Sequence, residues 1–199
     1  NGLQLEGRGE VRRVAAAVDS SLAVVKKAVQ AGVDLLIVHH GMFWSGARPV
    51  TGATFEKYKT AMDAGLSIYS AHIPLDVHPV LGNNAWLSAA LELQNLEPFF
   101  EWKGILLGMK GTFPGSREDL AAKCGDVLGS MPHLCPGGQF EAGLVGVISG
   151  GCGEKVEAIR AAGIDIFFIG EGSHWSYTVA AEEVVVPSDT VNVKLSEPL

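Results

Sequence analysis

The sequence predicts an α/β fold of layered, mixed or largely parallel sheets with helices, arranged as two pseudo-similar halves sharing a cleft. Two observations carry that prediction. Apolar runs without polar alternation, such as DLLIV at Asp34–Val38, alternate with helix-length segments closed by glycine, the pattern of strands covered on both faces by crossover helices. In addition, VKKAVQAGVDLLIVHHGMFW from Val25 aligns without gaps onto VEAIRAAGIDIFFIGEGSHW from Val156, placing Gly32 on Gly163, Asp34 on Asp165 and Trp44 on Trp175. Two unrelated helix-glycine-strand units would share part of this likeness. Two related halves would place His40 and Glu171 at equivalent strand ends.

Taken in order, Arg12–Asp19 reads as a strand ending in an acidic residue, and Ser20–Ala31 as a helix opened by a serine cap and stopped by Gly32. The strand Asp34–Val38 follows. A helix over about Ala53–Ala64, Gly65 and a strand over Leu66–Ala71 repeat the sequence of elements, and a third apolar helix spans about Gly82–Leu93. After Pro98 the pattern is less regular: a strand at Ile105–Gly111, a helix at Ser116–Leu128 with Ser116 as N-cap, and a Pro/Gly-rich loop at Met131–Glu141. Leu144–Ser149, Glu154–Ala162 and Asp165–Ile169 restore strand, helix, strand. The expected organisation is an α/β half over 1–97, a connecting or inserted segment over 98–143 and an incomplete second half over 144–199.

Composition narrows the function classes. Of 199 residues, 47% are hydrophobic and 19% charged, enough apolar material for a packed core. The net charge of -7 gives no broad attraction to nucleic acid or to an anionic membrane, so neither is an expected partner. The sequence holds neither an apolar run long enough to span a bilayer nor a signal peptide, although it begins at Asn1 rather than at a methionine, which leaves an upstream segment open. A cytoplasmic location is expected. Cys124, Cys135 and Cys152 lack metal or disulfide spacing and read as buried small hydrophobes.

Chemistry concentrates at strand ends, where ligands of open α/β sheets collect. His39 and His40 directly follow DLLIV. Imidazoles there are costly to desolvate without partners, and neutral imidazole is a good ligand for Zn, Fe, Ni or Mn. Neighbouring strand side chains diverge, so a bend at Gly41 could bring both into one site, or each could serve a different ion. The segment AHIPLDVH, Ala71–His78, begins at another strand end and offers His72, Asp76 and His78; a carboxylate such as Asp76 can bridge two ions. Asn83 and Asn84 are candidate caps for the helix that follows. In GEGSHW, Glu171 and His174 are candidate ligands, acid and base, or residues that orient a ligand. Trp44 and Trp175 can stack on a planar substrate or simply cover a core. The SGGCGE turn is an incomplete phosphate-binding fingerprint without a Walker lysine.

GLQLEGR, LLIVHHGMFW, AHIPLDVHPVLGNNAWL and IGEGSHW together resemble the dinuclear-metal family of GTP cyclohydrolase I type 2 homologues, also called NGG-interacting-factor-three-like proteins. The resemblance runs to about Glu183, and its specific part is the paired histidines with AHIPLD. It implies two similar α/β halves, a toroidal homohexamer built from dimers and up to two divalent ions per protomer. By that likeness His39 and His40 are ligands to different ions, Asp76 is the carboxylate ligand, and His72, Glu171 and His174 line the site. Family members ordinarily have a helical segment before NGLQ and a C-terminal histidine followed four residues later by glutamate. This sequence shows neither, and Glu182 and Glu183 are the unmatched carboxylates in that region. Two functions follow as expectations: a metal-dependent hydrolase acting on a nucleotide-like or phosphoester substrate, with Glu171 or His174 moving the proton, or a noncatalytic metal-binding regulatory, chaperone-like or interaction protein.

Overall fold

The structure is a computed structural model that describes residues 1–134, 141–152, 155–172, 175 and 191–194. The chain forms two compact units, Asn1–Leu75 and Asp76–Leu199. His174, Cys135, Glu182 and Glu183 lie outside the described residues.

The first unit is a four-stranded sheet in the order β1-β4-β3-β2, with β1 at Gly2–Leu5, β2 at Val14–Asp19, β3 at Leu35–His40 and β4 at Ser67–Ser70. β2, β3 and β4 run parallel, and β1 is antiparallel to β4. Two helices, α1 (Leu22–Gln30) and α2 (Gly52–Ala64), supply the crossovers between the parallel strands. Ser21, in extended backbone, caps α1 by accepting from the amide of Val24 at 3.3 Å. Gly65 closes α2 in the left-handed region at φ 69°, which favours glycine. Val25, Ala61, Leu36, Val38, Leu66 and Ile68 form the core of this unit. Each fully buried Val, Leu or Ile side chain among them contributes about 1.5–3 kcal/mol. The expectation that Asp34–Val38 is covered on both faces is met on one: Leu36 and Val38 are buried, whereas Leu35 and Ile37 on the opposite face are half-buried.

One helical turn, α3 (Ile73–Asp76), leads into the second unit. There α4 (Asn83–Ala90) precedes a six-stranded mixed sheet in the order β5-β6-β8-β9-β10-β7. Its strands are β5 (Gln94–Trp102), β6 (Ile105–Ser116), β7 (His133–Leu134), β8 (Glu141–Gly151), β9 (Ile166–Glu171) and β10 (Val191–Lys194), with helices α5 (Arg117–Leu128) and α6 (Val156–Ala161). β8, β9 and β10 are parallel; β6 pairs antiparallel with both β5 and β8. β5 is absent from the sequence-based pattern. As an edge strand it accommodates Pro98, which carries no N–H to donate to a further neighbour. The loop expected over 131–141 contains the two-residue strand β7. Ser116 caps α5 as expected, in a capping box with Asp119. Asn83 and Asn84 depart from expectation: Gly82 is the N-cap of α4, and both amides instead bond to other segments. Cys124 and Cys152 are buried, and burial pushes the Cys124 thiol up to about 11.

The internal repeat reappears in the strand register. Val14 pairs with Leu35 across β2 and β3, and Val145 pairs with Ile166 across β8 and β9; the numbering shift that takes Gly32 to Gly163 maps one pair onto the other. Gly32 and Gly163 both have positive φ, at 66° and 78°. Asp34 accepts from the backbone amides of Arg12 and Arg13, at 2.9 and 2.7 Å, and Asp165 likewise accepts from the amide of Leu144 at 2.7 Å. Each aspartate therefore ties the start of its own strand to the start of the neighbouring parallel strand. The architecture is thus the α/β fold of mixed sheets and two pseudo-similar halves that the sequence predicts.

Candidate metal centre

β3 ends on His39 and His40, and β4 ends immediately before Ala71 and His72. Because β3 and β4 are adjacent and parallel, with Val38 opposite Ser70, their carboxyl ends lie side by side and bring these histidines together. The His39 and His40 rings are 4.8 Å apart between centroids, His39 and His72 are 4.7 Å apart, and His40 and His72 are 5.4 Å apart. One ligand nitrogen from each can be chosen so that all three lie within 4.8 Å of one another. All three residues are half-buried. Among the described residues this is the one such cluster of histidine, cysteine and carboxylate donors, and it forms a histidine-based metal-binding site. The donor set fits a borderline divalent ion: neutral imidazoles suit Zn, Fe, Ni or Cu better than Mg or Ca.

Backbone and amide contacts set the geometry around the cluster. The Ser70 hydroxyl donates to the His39 carbonyl at 3.1 Å, and the His72 amide donates to Asn1 Oδ1 at 2.8 Å. Gln4 Oε1 accepts from the Met42 amide at 2.6 Å, which fixes the turn after Gly41. That turn carries Trp44. Its indole stacks on His40 at 4.7 Å with an interplanar angle of 26° and meets His72 edge-on at 4.2 Å. Trp44 remains 59% exposed, so it covers imidazoles and not an apolar core. Beside it lies an open cleft of about 190 Å³ lined by Asn1, Gln4, Phe43, Trp44, Ser70 and His72. His72, which the sequence offers as an imidazole donor and the family likeness implies as a site-lining residue, stands among the three donors. Asp19, whose Oδ1 is 2.8 Å from His40 Nδ1, showed only as an acid at a strand end.

In the second unit, Asp76 Oδ1 accepts from Asn83 Nδ2 at 2.8 Å and from the Ser149 hydroxyl at 3.1 Å. Asn84 bridges backbone to backbone: its Nδ2 donates to the Leu107 carbonyl at 2.6 Å, and its Oδ1 accepts from the Ser149 amide at 2.6 Å. The Asp76 carboxylate is therefore held in place by two side chains rather than left to sample solvent. Glu171 ends β9 and is exposed. Gly170 is packed against its neighbour, since a Cβ there would come within 2.8 Å of the Gly150 nitrogen. That glycine allows two strand ends to approach. Trp175 is 50% exposed.

Known proteins resemble this chain in sequence and in fold. A protein of Deinococcus radiodurans named GTP cyclohydrolase 1 type 2 homolog is 41% identical over 176 residues, covering 87% of this chain and 67% of that protein. A protein of the same name from Pyrococcus abyssi is 38% identical over 187 residues, covering 92% of this chain and 74% of its own length. Among solved structures, TTHA1606 from Thermus thermophilus superposes with a TM-score of 0.81 at 32% identity, covering 98% of this chain and 75% of that one. Reduced HcgD from Methanocaldococcus jannaschii superposes with a TM-score of 0.83 at 29% identity, over 97% of this chain and 76% of that one. The profile of the family described as Duf34/NIF3 (NGG1p interacting factor 3) matches residues 1–190, and this chain belongs to that family.

Proposed function

We propose that the protein binds divalent metal at His39, His40 and His72 and uses it in hydrolytic chemistry on a nucleotide-like or phosphoester substrate. The observation that carries this reading is the convergence of three imidazole donors within 4.8 Å at adjacent strand ends. The relatives' shared name, GTP cyclohydrolase 1 type 2 homolog, supports the substrate class. When bound, a divalent ion supplies Lewis acidity, which polarises an electrophile and makes water a competent nucleophile at neutral pH. The chain's own residues do the rest. The Asn1 and Gln4 amides offer donors and acceptors along the cleft, and the exposed face of Trp44 offers a platform for a planar group.

In the full form of the proposal, His39 and His40 serve two different ions, Asp76 contributes a carboxylate ligand, and Glu171 or His174 moves the proton. The active assembly is a homohexamer. Support for Asp76 is its restraint by Asn83 and Ser149; support for the rest is the family likeness. The test has two parts. Zinc or manganese titration should reach saturation in the wild type, and His39→Ala or His72→Ala should weaken binding by about 10-fold or more. The loaded protein is then screened against nucleotides and phosphoesters. Saturable binding without turnover on any of them would reject hydrolysis and leave a second reading, a noncatalytic metal-binding protein. One observation favours that second reading: all three imidazoles and their hydrogen-bonded supports belong to the first unit, which can hold an ion without help from Glu171.

A further inference from the structure

We infer that Asp19 is a positioning residue for the metal site: its carboxylate fixes the tautomer of His40, so that Nδ1 carries the proton and Nε2 faces the ion. This rests on the metal-binding reading above and names a residue beyond the histidines themselves.

The register of the sheet makes the contact. β2 and β3 pair in parallel without a bulge from Val14↔Leu35 to Asp19↔His40, so Asp19 is the strand neighbour of His40. Asp19 Oδ1 lies 2.8 Å from His40 Nδ1. A carboxylate only accepts, so the hydrogen in this contact belongs to Nδ1, and a neutral imidazole so held has its lone pair on Nε2. The His40 backbone is held as well, its carbonyl accepting from the Ser20 amide at 3.2 Å, and the Trp44 indole stacked on the ring opposes its rotation. The His40 ring is thereby fixed in position, orientation and tautomer before any ion arrives. Carboxylate partners of this kind raise ligand basicity, and their loss typically costs about 10–100-fold in metal affinity.

Neither local helix chemistry nor sheet architecture explains the residue. Ser21, not Asp19, caps α1, and the Asp19 side chain is 63% exposed, so it supports no core. The internal repeat provides a comparison within the chain. The numbering shift that places His40 on Glu171 places Asp19 on Gly150, and in the sheet, after a register shift, Glu171 pairs with Gly151, so the second strand pair has glycine and no carboxylate at either position.

The test compares wild type, Asp19→Asn and Asp19→Ala. In the ion-free protein at mildly alkaline pH, long-range ¹H–¹⁵N correlation of the imidazoles reads the His40 tautomer, and competition against a chromogenic chelator reads affinity for zinc alone. The wild type is expected to hold His40 protonated on Nδ1. Asp19→Ala should release that preference and weaken zinc binding about 10–100-fold, while Asp19→Asn, whose amide oxygen still accepts, should retain the tautomer and lose less. Thermal unfolding should change little in either variant, which separates positioning from folding. An unchanged His40 tautomer in Asp19→Ala, or an unchanged zinc affinity, would overturn the inference. If the wild type binds no zinc, the metal reading falls independently. Release of the Nδ1 tautomer in Asp19→Ala would then still establish that Asp19 positions His40, and its absence would refute it.

Discussion

A Cβ added to Gly41 would run into the Gln4 carboxamide that accepts from the Met42 amide. Gly41→Ala should therefore displace Gln4 and leave that amide without its acceptor, costing about 1 kcal/mol in a urea unfolding experiment. An unchanged midpoint would show that the turn carrying Trp44 is held by other contacts. Asp34 makes a pH prediction. Backbone hydrogen bonds from Arg12 and Arg13, joined by the nearby guanidinium charges, hold its carboxyl below the ordinary aspartate value. A group with a depressed folded pKa stabilises the fold above its unfolded pKa and loses that contribution as pH falls through the folded value. The stability gap between wild type and Asp34→Asn should thus be full at neutral pH and close in the acid range below the ordinary aspartate pKa; a gap independent of pH would contradict this. At this scale His39 and His40 were legible because consecutive imidazoles after DLLIV have no ordinary place in a core. Asp19 was not legible, because its meaning depends on which residue of β3 lies opposite, and pairing register is a tertiary fact.

Elements with their own local signals were read to within a few residues. α5 has a serine cap and an acid three residues on, and the structure closes both bonds: the Asp119 amide donates to Ser116 Oγ and the Ser116 amide donates to Asp119 Oδ2, each at 3.1 Å. Ser116→Ala should lower stability by about 1 kcal/mol, measured by chemical denaturation, and a loss confined to a few tenths would mean that Asp119 alone suffices. β1 and β5 lacked such signals. QNLEPFFEW has a proline and no period-two alternation, and Asn95 and Phe100 adopt positive φ within it, at 55° and 61°. What makes this segment a strand is the ladder offered by β6, so its conformation is imposed from outside. β1 is likewise defined by antiparallel pairing with β4.

For the molecule as a whole, the gapless repeat correctly indicated two related strand-helix-strand frames, because the glycine and aspartate that it preserves have the same mechanical role in both. Gly32 and Gly163 occupy left-handed backbone, and Asp34 and Asp165 fasten adjacent strands. The chemistry diverged while the frame remained: one frame ends in His40 with Asp19 beside it, the other in Glu171 with glycines beside it. Among the described residues no helix is long and apolar enough to cross a membrane. Light scattering of the purified chain tests the proposed assembly; a hexamer mass is expected, and a monomer at all concentrations would reject it.

The central claim is that the strand-end histidines hold metal, and the most direct measurement is the metal content of protein purified without chelator and then equilibrated with zinc, for wild type and His40→Ala side by side. The account predicts stoichiometric metal that survives desalting in the wild type and falls sharply in the variant. Equal retention in both, or none in the wild type, would contradict it.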